Sequence, residues 1–253
     1  MRPLIRLLFL AGLLPLNLFA QSFYPGYAIK NNGDTLKGYL KFKRWENNPD
    51  GTQFKPGAQD KPINLTKSNT RYFSIDVGSK VEFQRYAGAV STDVVNINDL
   101  DTYRDSSFRM DTVFLKVLRK GPNVQLFSYD DNLKTRYFIA DGPDFNPVEL
   151  TYRIYYNIDS VGNKKSVRED TYKKQLYKLA LKYGKDNNDL NAAIYKSDYI
   201  GANIIDVTDK INGFTSKDIP SNSELTSPPK TKLVLMLGVF VTVAILTFSV
   251  MHK

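Results

Sequence analysis

The sequence has 253 residues, with 35 Lys and Arg against 26 Asp and Glu, no cysteine and one histidine, His252. No disulfide, thiolate nucleophile, Cys-ligated zinc or lipidated cysteine can form, and a Ser-His-Asp triad or a His-ligated metal in the body of the chain is excluded. At 42% hydrophobic residues the chain can bury a sizeable core.

Residues 1–20 read as a secretory signal peptide. Arg2 and Arg6 supply the positive start, Leu7 to Leu18 the apolar stretch, and Ala20 a small residue at the cleavage point. An uncleaved anchor is disfavoured because Pro15 and Asn17 interrupt a stretch already short for a span of roughly 20 residues.

Residues 21–160 are expected to be rich in strands. Tyr27–Lys30 and Thr35–Phe42 flank Asn31-Asn32-Gly33-Asp34, and Asn-Gly permits the positive φ of a tight hairpin turn. Residues 45–69 form a long polar connection with Pro49, Pro56 and Pro62, either functional or mobile. Further strands are predicted at Arg71–Val77, Lys80–Ala87, Thr112–Arg119, Val124–Asp130, Lys134–Ala140 and Val148–Ile158, all rich in β-branched and aromatic residues and separated by turn formers such as Gly121-Pro122-Asn123 and Asp141-Gly142-Pro143. Their close spacing predicts an antiparallel sheet, folded as a sandwich, a half-open barrel or a strongly curved sheet.

The period then changes, and residues 161–213 are expected to be a helical portion of the same domain. Ser166 and Glu169 have the spacing of a capping box, and Val167, Tyr172, Leu176, Leu179 and Tyr183 recur at helical spacing up to Gly184. A second helix is predicted on Ile200, Ile204, Val207 and Ile211, ending near Asn212-Gly213, with Lys185–Asp189 as a polar turn between the two. Both apolar stripes are expected to pack in the core. On the first helix Lys174, Lys178 and Lys182 fall on one face beside Lys173 and Lys185. They are the candidate contact for an anionic surface, lipid headgroup or acidic polysaccharide, weighed against a plain solvated face.

Residues 214–232 lack periodicity, are rich in Ser, Thr and Pro, and are expected to be a linker. Residues 233–251, LVLMLGVFVTVAILTFSVM, carry no charge. As a helix rising about 1.5 Å per residue they would reach roughly 28 Å, the thickness of a bilayer core. The expected fold is therefore a β-rich α+β domain with two helices, followed by one C-terminal transmembrane helix. With a cleaved signal, residues 21–230 would lie outside the cytoplasm of a bacterial cell, anchored to the envelope.

The charge divides unevenly. The two ends carry five of the basic residues and none of the acidic ones, leaving 30 against 26 in residues 21–229, a net of +4. That is an ordinary solvated surface, and no nucleic acid partner is expected. Gly-rich phosphate loops are absent, and no cofactor is expected. For carboxylate chemistry the candidates are Asp99, Asp101 and Asp105, or Asp141 with Asp144, as in a glycosidase or a hard-cation site. Neither set has calcium-loop spacing, and turn residues of this kind are ordinarily solvated. Tyr152, Tyr155 and Tyr156 cluster on one predicted strand, where they would form either a stacking platform or part of a half-buried sheet.

The run Gly26 to Leu40, GYAIKNNGDTLKGYL, followed by Trp45 and Asn48-Pro49, is similar to the opening of an uncharacterised exported domain of Bacteroidota-type bacteria. Asp111–Leu118 and Tyr172–Leu176 are similar to that family as well, over residues 24–213. The resemblance implies an envelope location, in a family whose members often precede an outer-membrane β-barrel, and it supplies no catalytic residues. This chain departs from that pattern by ending in a single apolar segment. The resulting expectation is a non-catalytic envelope protein that binds or scaffolds other envelope proteins or glycans. The alternatives are a carboxylate-dependent glycan hydrolase and the truncated remnant of a barrel protein.

Overall fold

The structure is a computed structural model that describes residues 23–96 and 98–215. The signal peptide, the 233–251 span and nearly all of the linker lie outside the described residues. No helix among the described residues is long and apolar enough to cross a membrane.

The chain forms β1 (Phe23–Lys30), β2 (Thr35–Lys41), β3 (Gly51–Lys55), β4 (Ile63–Thr66), β5 (Thr70–Asp76), β6 (Lys80–Ser91), β7 (Phe108–Lys120), β8 (Val124–Asp130), β9 (Thr135–Asp141) and β10 (Val148–Glu149). These ten make one antiparallel sheet in the order β10-β9-β8-β7-β6-β5-β1-β2-β3-β4. A separate ribbon pairs β11 (Arg153–Ile158) with β12 (Lys164–Glu169). Three helices follow: α1 (Thr171–Lys182), α2 (Asn188–Lys196) and α3 (Gly201–Asn212).

The predicted first hairpin forms, with Ile29 opposite Thr35 and Gly33 at φ 98° in the turn. Two corrections fall on the strands. The 45–69 connection contains β3 and β4, which the sequence masks as the polar runs GTQFK and INLT. The predicted strand Val148–Ile158 breaks at residues 150–152: Leu150 N–H still donates to the Tyr137 carbonyl of β9, but Thr151 N–H leaves the ladder and donates to Gln175 Oε1 of α1.

The sheet curls twice, in opposite senses. In a flat sheet β4 and β5 would stand four strand spacings apart, roughly 19 Å, yet only residues 67–69 join them, a reach of about 14 Å. The first five strands therefore wrap, and Ala28, Leu40, Phe54, Leu65, Phe73, Ile75, Phe83 and Phe114 fill the enclosed face, with Trp45 edge-on to Phe42 and Phe83. Beyond β6 the opposite face turns inward. Val90, Val113, Leu115, Phe127, Phe138 and Ala140 form a second core, and the end of β6 meets the far edge strand where Ser91 N–H donates to Glu149 Oε2 of β10 at 3.0 Å. The expected antiparallel sheet is thus present as one ten-stranded sheet carrying two separate apolar cores on opposite faces.

The helices cover the outside of the second curl, where Val124, Leu126, Tyr137 and Ile139 meet Tyr172, Leu176, Ala180, Leu190, Ile194, Ile204, Val207 and Ile211. β8 and β9 are thus buried on both faces. The helix expectations need three corrections. Ser166 and Glu169 are not a capping box: both lie in β12, Glu169 pairs with Arg104 at 2.8 Å, and α1 begins only at Thr171. Val167 accordingly belongs to a strand. The polar turn also runs into a helix missing from the prediction, α2, which Asn187 caps by accepting from Leu190 N–H.

Candidate functional site

The open face of β6 and β7 sets the floor of a concavity. Pairing places Arg85 opposite Phe114, Ala87 opposite Thr112 and Ala89 opposite Met110, so these residues share one face of the two long strands. Phe114 ends the first core, and the face beyond it is uncovered, with Met110 and Phe108 exposed.

The β4–β5 turn forms one wall. Asn69 pins it, accepting from Thr66 N–H at 2.9 Å and donating to the Asn64 carbonyl at 3.1 Å, while the Thr66 and Ser68 hydroxyls bond each other at 2.8 Å. Arg85 Nε donates to the Lys67 carbonyl at 2.7 Å, tying the turn to β6. The segment before β3 forms the other wall. Asn48 anchors it by donating to the carbonyls of Phe114 and Ser128 and accepting from Asp130 N–H, which bridges β7 and β8. Two residues on, Asp50 reaches Lys67, with Oδ1 2.9 Å from Nζ.

Asp50, Thr66, Lys67, Ser68, Arg85 and Thr112 together line a groove of about 540 Å³. The Asp50 carboxylate, hydrogen-bonded to Lys67, holds the ammonium above its ordinary range, so Lys67 is a fixed cation. Asp111 lies close by but is committed: against the effect of burial, Arg109 and the Thr112 N–H hold it below the usual carboxylate range. The groove can therefore offer ammonium, guanidinium and hydroxyl donors to a ligand on one side.

A second polar cluster closes the other curl. Lys134 Nζ bonds both oxygens of Asp93 at 2.8 Å; Arg136, fully buried, donates to the Ser91 carbonyl at 2.9 Å and to Asp131 Oδ1 at 2.9 Å. Arg153 reaches Glu169 at 3.5 Å and stands 3.9 Å from Asp93. Burial is the main reason that Lys134 is held below its ordinary value. Arg136 Nη2 and Arg153 Nε are buried with no hydrogen-bond partner. The charges of this largely buried cluster neutralise one another, the chemistry of a structural ion-pair network rather than of a ligand site.

The residues singled out in the sequence are scattered. Lys174, Lys178 and Lys182 all lie exposed on α1, but Lys182 is paired with Asp141 at 2.6 Å. That contact also removes Asp141 from Asp144: Lys182 and Tyr183 both donate to Asp141 and hold it below the carboxylate range. Asp105 accepts from the N–H and hydroxyl of Ser107, which lower it. Asp99 accepts from Asn96, and Asp101 contributes its carbonyl to Tyr156 N–H. Tyr152 is no surface platform; its ring stacks on Tyr199 at 4.7 Å and meets Tyr172 edge-on, inside the helix-covered core. Among the described residues no group of three or more His, Asp and Glu could hold a metal ion.

Sequence reasoning missed the groove because its residues come from positions 50, 66–68, 85 and 112, which only the curl brings together. The one available signal was the long polar connection, which contains Asp50 and Lys67. Comparison with known families, curated proteins and solved structures finds no match to this chain.

Proposed function

We propose that the protein is a non-catalytic component of the bacterial cell envelope, anchored by residues 233–251, whose exported domain binds or scaffolds other envelope components. The groove carries this reading. It is a concavity of about 540 Å³ lined by Asp50, Thr66, Lys67, Ser68, Arg85 and Thr112, with a fixed cation, within the roughly 300–1,000 Å³ of ordinary ligand sites. The signal-like start, the Ser/Pro-rich linker and the uncharged 19-residue stretch from Leu233 to Met251 support the anchored topology, as does the resemblance to an exported domain.

A glycan hydrolase needs one carboxyl group held above its ordinary range beside a second in one cleft. Asp105 and Asp141 are held below it, each by its own local donors. Asp209 is raised by burial, but both its oxygens accept from Arg119 Nε at 2.9 and 3.1 Å under α3.

Fractionation of cells expressing the full chain tests the proposal. The protein is expected in the membrane fraction, with residues 21–230 open to protease added from outside the cytoplasm, and deletion of 231–253 is expected to release it. Recovery in the cytoplasm, or membrane association unchanged by the deletion, would refute the anchored reading.

A further inference from the structure

We propose that the groove between the β4–β5 turn and the β6–β7 face binds an anionic sugar through its carboxylate or phosphate group, with Lys67 and Arg85 as the oxyanion contacts. This deepens the binding-domain reading and rests on it.

Arg85 lines the groove, and its Nε is spent on the Lys67 carbonyl at 2.7 Å, which leaves its two terminal nitrogens as the donor pair that matches a carboxylate or phosphate edge. Lys67 already holds a carboxylate at 2.9 Å, that of Asp50. Asp50 is 89% exposed and hangs from the anchored Asn48-Pro49 segment, whereas Lys67 is 34% exposed. The cation is thus fixed in the wall, and the anion covering it is free to swing into solvent. An exposed pair of this kind contributes at most about 1 kcal/mol, so an incoming oxyanion displaces Asp50 at small cost.

The rest of the lining sets the ligand class. Hydroxyls of Thr66, Ser68 and Thr112 offer both donors and acceptors, the complement of sugar hydroxyls. On the same face Ala87, Ala89 and Met110 provide a shallow apolar strip for the C–H side of a pyranose. A bare inorganic ion would use only the two cations.

Isothermal titration calorimetry on the full chain in detergent tests this, with glucuronate, glucose 6-phosphate, glucose and inorganic phosphate as separate titrants. Glucuronate and glucose 6-phosphate are expected to bind and glucose not to; inorganic phosphate is expected to bind more weakly than the sugar phosphate. Lys67→Gln should weaken glucuronate binding about tenfold, the loss of one charge-assisted contact. Asp50→Asn, which removes the competing carboxylate, should strengthen it about three- to fivefold. Circular dichroism checks that both variants fold. Absence of binding up to millimolar ligand, glucose binding as tight as glucuronate, or no gain from Asp50→Asn overturns the inference. Phosphate binding as tight as glucose 6-phosphate marks an adventitious ion site only. Fractionation is read separately, so loss of sugar binding with intact membrane association refutes the ligand and leaves the anchored topology standing.

Discussion

Lys134 and Asp93 form a buried ion pair. Both side chains are almost wholly buried, at 3% and 4% exposure, and the ammonium bonds both carboxylate oxygens at 2.8 Å. Removing one partner leaves an uncompensated buried charge, which costs about 3–5 kcal/mol, whereas replacing both by apolar residues is often neutral. Asp93→Ala is therefore expected to lower unfolding stability by about 3–5 kcal/mol, and the double variant Asp93→Leu/Lys134→Met to recover most of the loss. Urea denaturation of the three proteins measures it; a double variant no more stable than Asp93→Ala would show that the pair is not coupled. Nothing local in the sequence marks this pair. Lys134 belongs to an Asp-Asn-Leu-Lys turn that reads as solvated, and its partner lies 41 residues away on a segment that reaches it only because the sheet curls. Groove residues Asp50, Lys67 and Arg85 are hidden for the same reason: ionisable side chains on strands and turns look alike until the topology decides which of them meet.

Regular elements were more legible, and their errors have physical causes. Strands whose apolar residues alternate or run continuously, such as β5, β8 and β9, appear in the sequence at nearly their true bounds. β3 and β4 escaped because each offers a single core residue, Phe54 and Leu65. α2 escaped because it too presents only two buried positions, Leu190 and Ile194. α3 was legible from Ile204, Val207 and Ile211, but its fastening to the sheet was not. The Asn212 side chain plugs the β7–β8 turn: Oδ1 accepts from the N–H groups of Asn123 at 3.1 Å and Val124 at 2.9 Å, and Nδ2 donates to the Val124 carbonyl at 3.1 Å. Gly121 permits this approach, since a Cβ there would lie 2.1 Å from the Asn212 amide. Asn212→Ala strands buried backbone groups and is expected to cost about 1–3 kcal/mol. Gly121→Ala should cost a similar amount by expelling the same amide, and the two losses should not add. Additive losses in thermal or chemical unfolding would mean that Gly121 serves the turn itself rather than the docking of α3.

At the scale of the whole molecule the sequence indicated an antiparallel sheet but left its form open between a sandwich, a half-open barrel and a strongly curved sheet, because curvature follows from where a short connection lands. Residues 67–69 pull the first curl closed, and the long strands β6 and β7 carry their apolar pattern from one face to the other to start the second. Several buried positions of this fold are tyrosines. Tyr137, under the helices, is raised to about 12 by burial and then by Asp130. Burial also raises Tyr72, whose hydroxyl bonds Glu82, and raises Tyr199 strongly. In the unfolded chain these phenols ionise near pH 10. The folded state holds their protons longer, so the stability they contribute is complete below about pH 10 and is lost as pH rises toward 12. Lys134 works in the opposite sense: its folded value lies below 10.5, so the unfolded chain binds the proton more tightly and stability rises with pH as that proton is released. Tyr86, Tyr129, Tyr152, Tyr172 and Tyr183 are raised as well, so one lysine is set against eight tyrosines, and the tyrosines prevail. Unfolding free energy is expected to fall steeply between about pH 10 and 12, by up to about 3 kcal/mol for Tyr137 alone. Urea midpoints measured across that range give the slope. Tyr137→Phe should flatten it, and Lys134→Met should make the net loss begin at lower pH by removing the opposing gain; a slope unchanged by Tyr137→Phe would assign the alkaline loss to the other raised phenols.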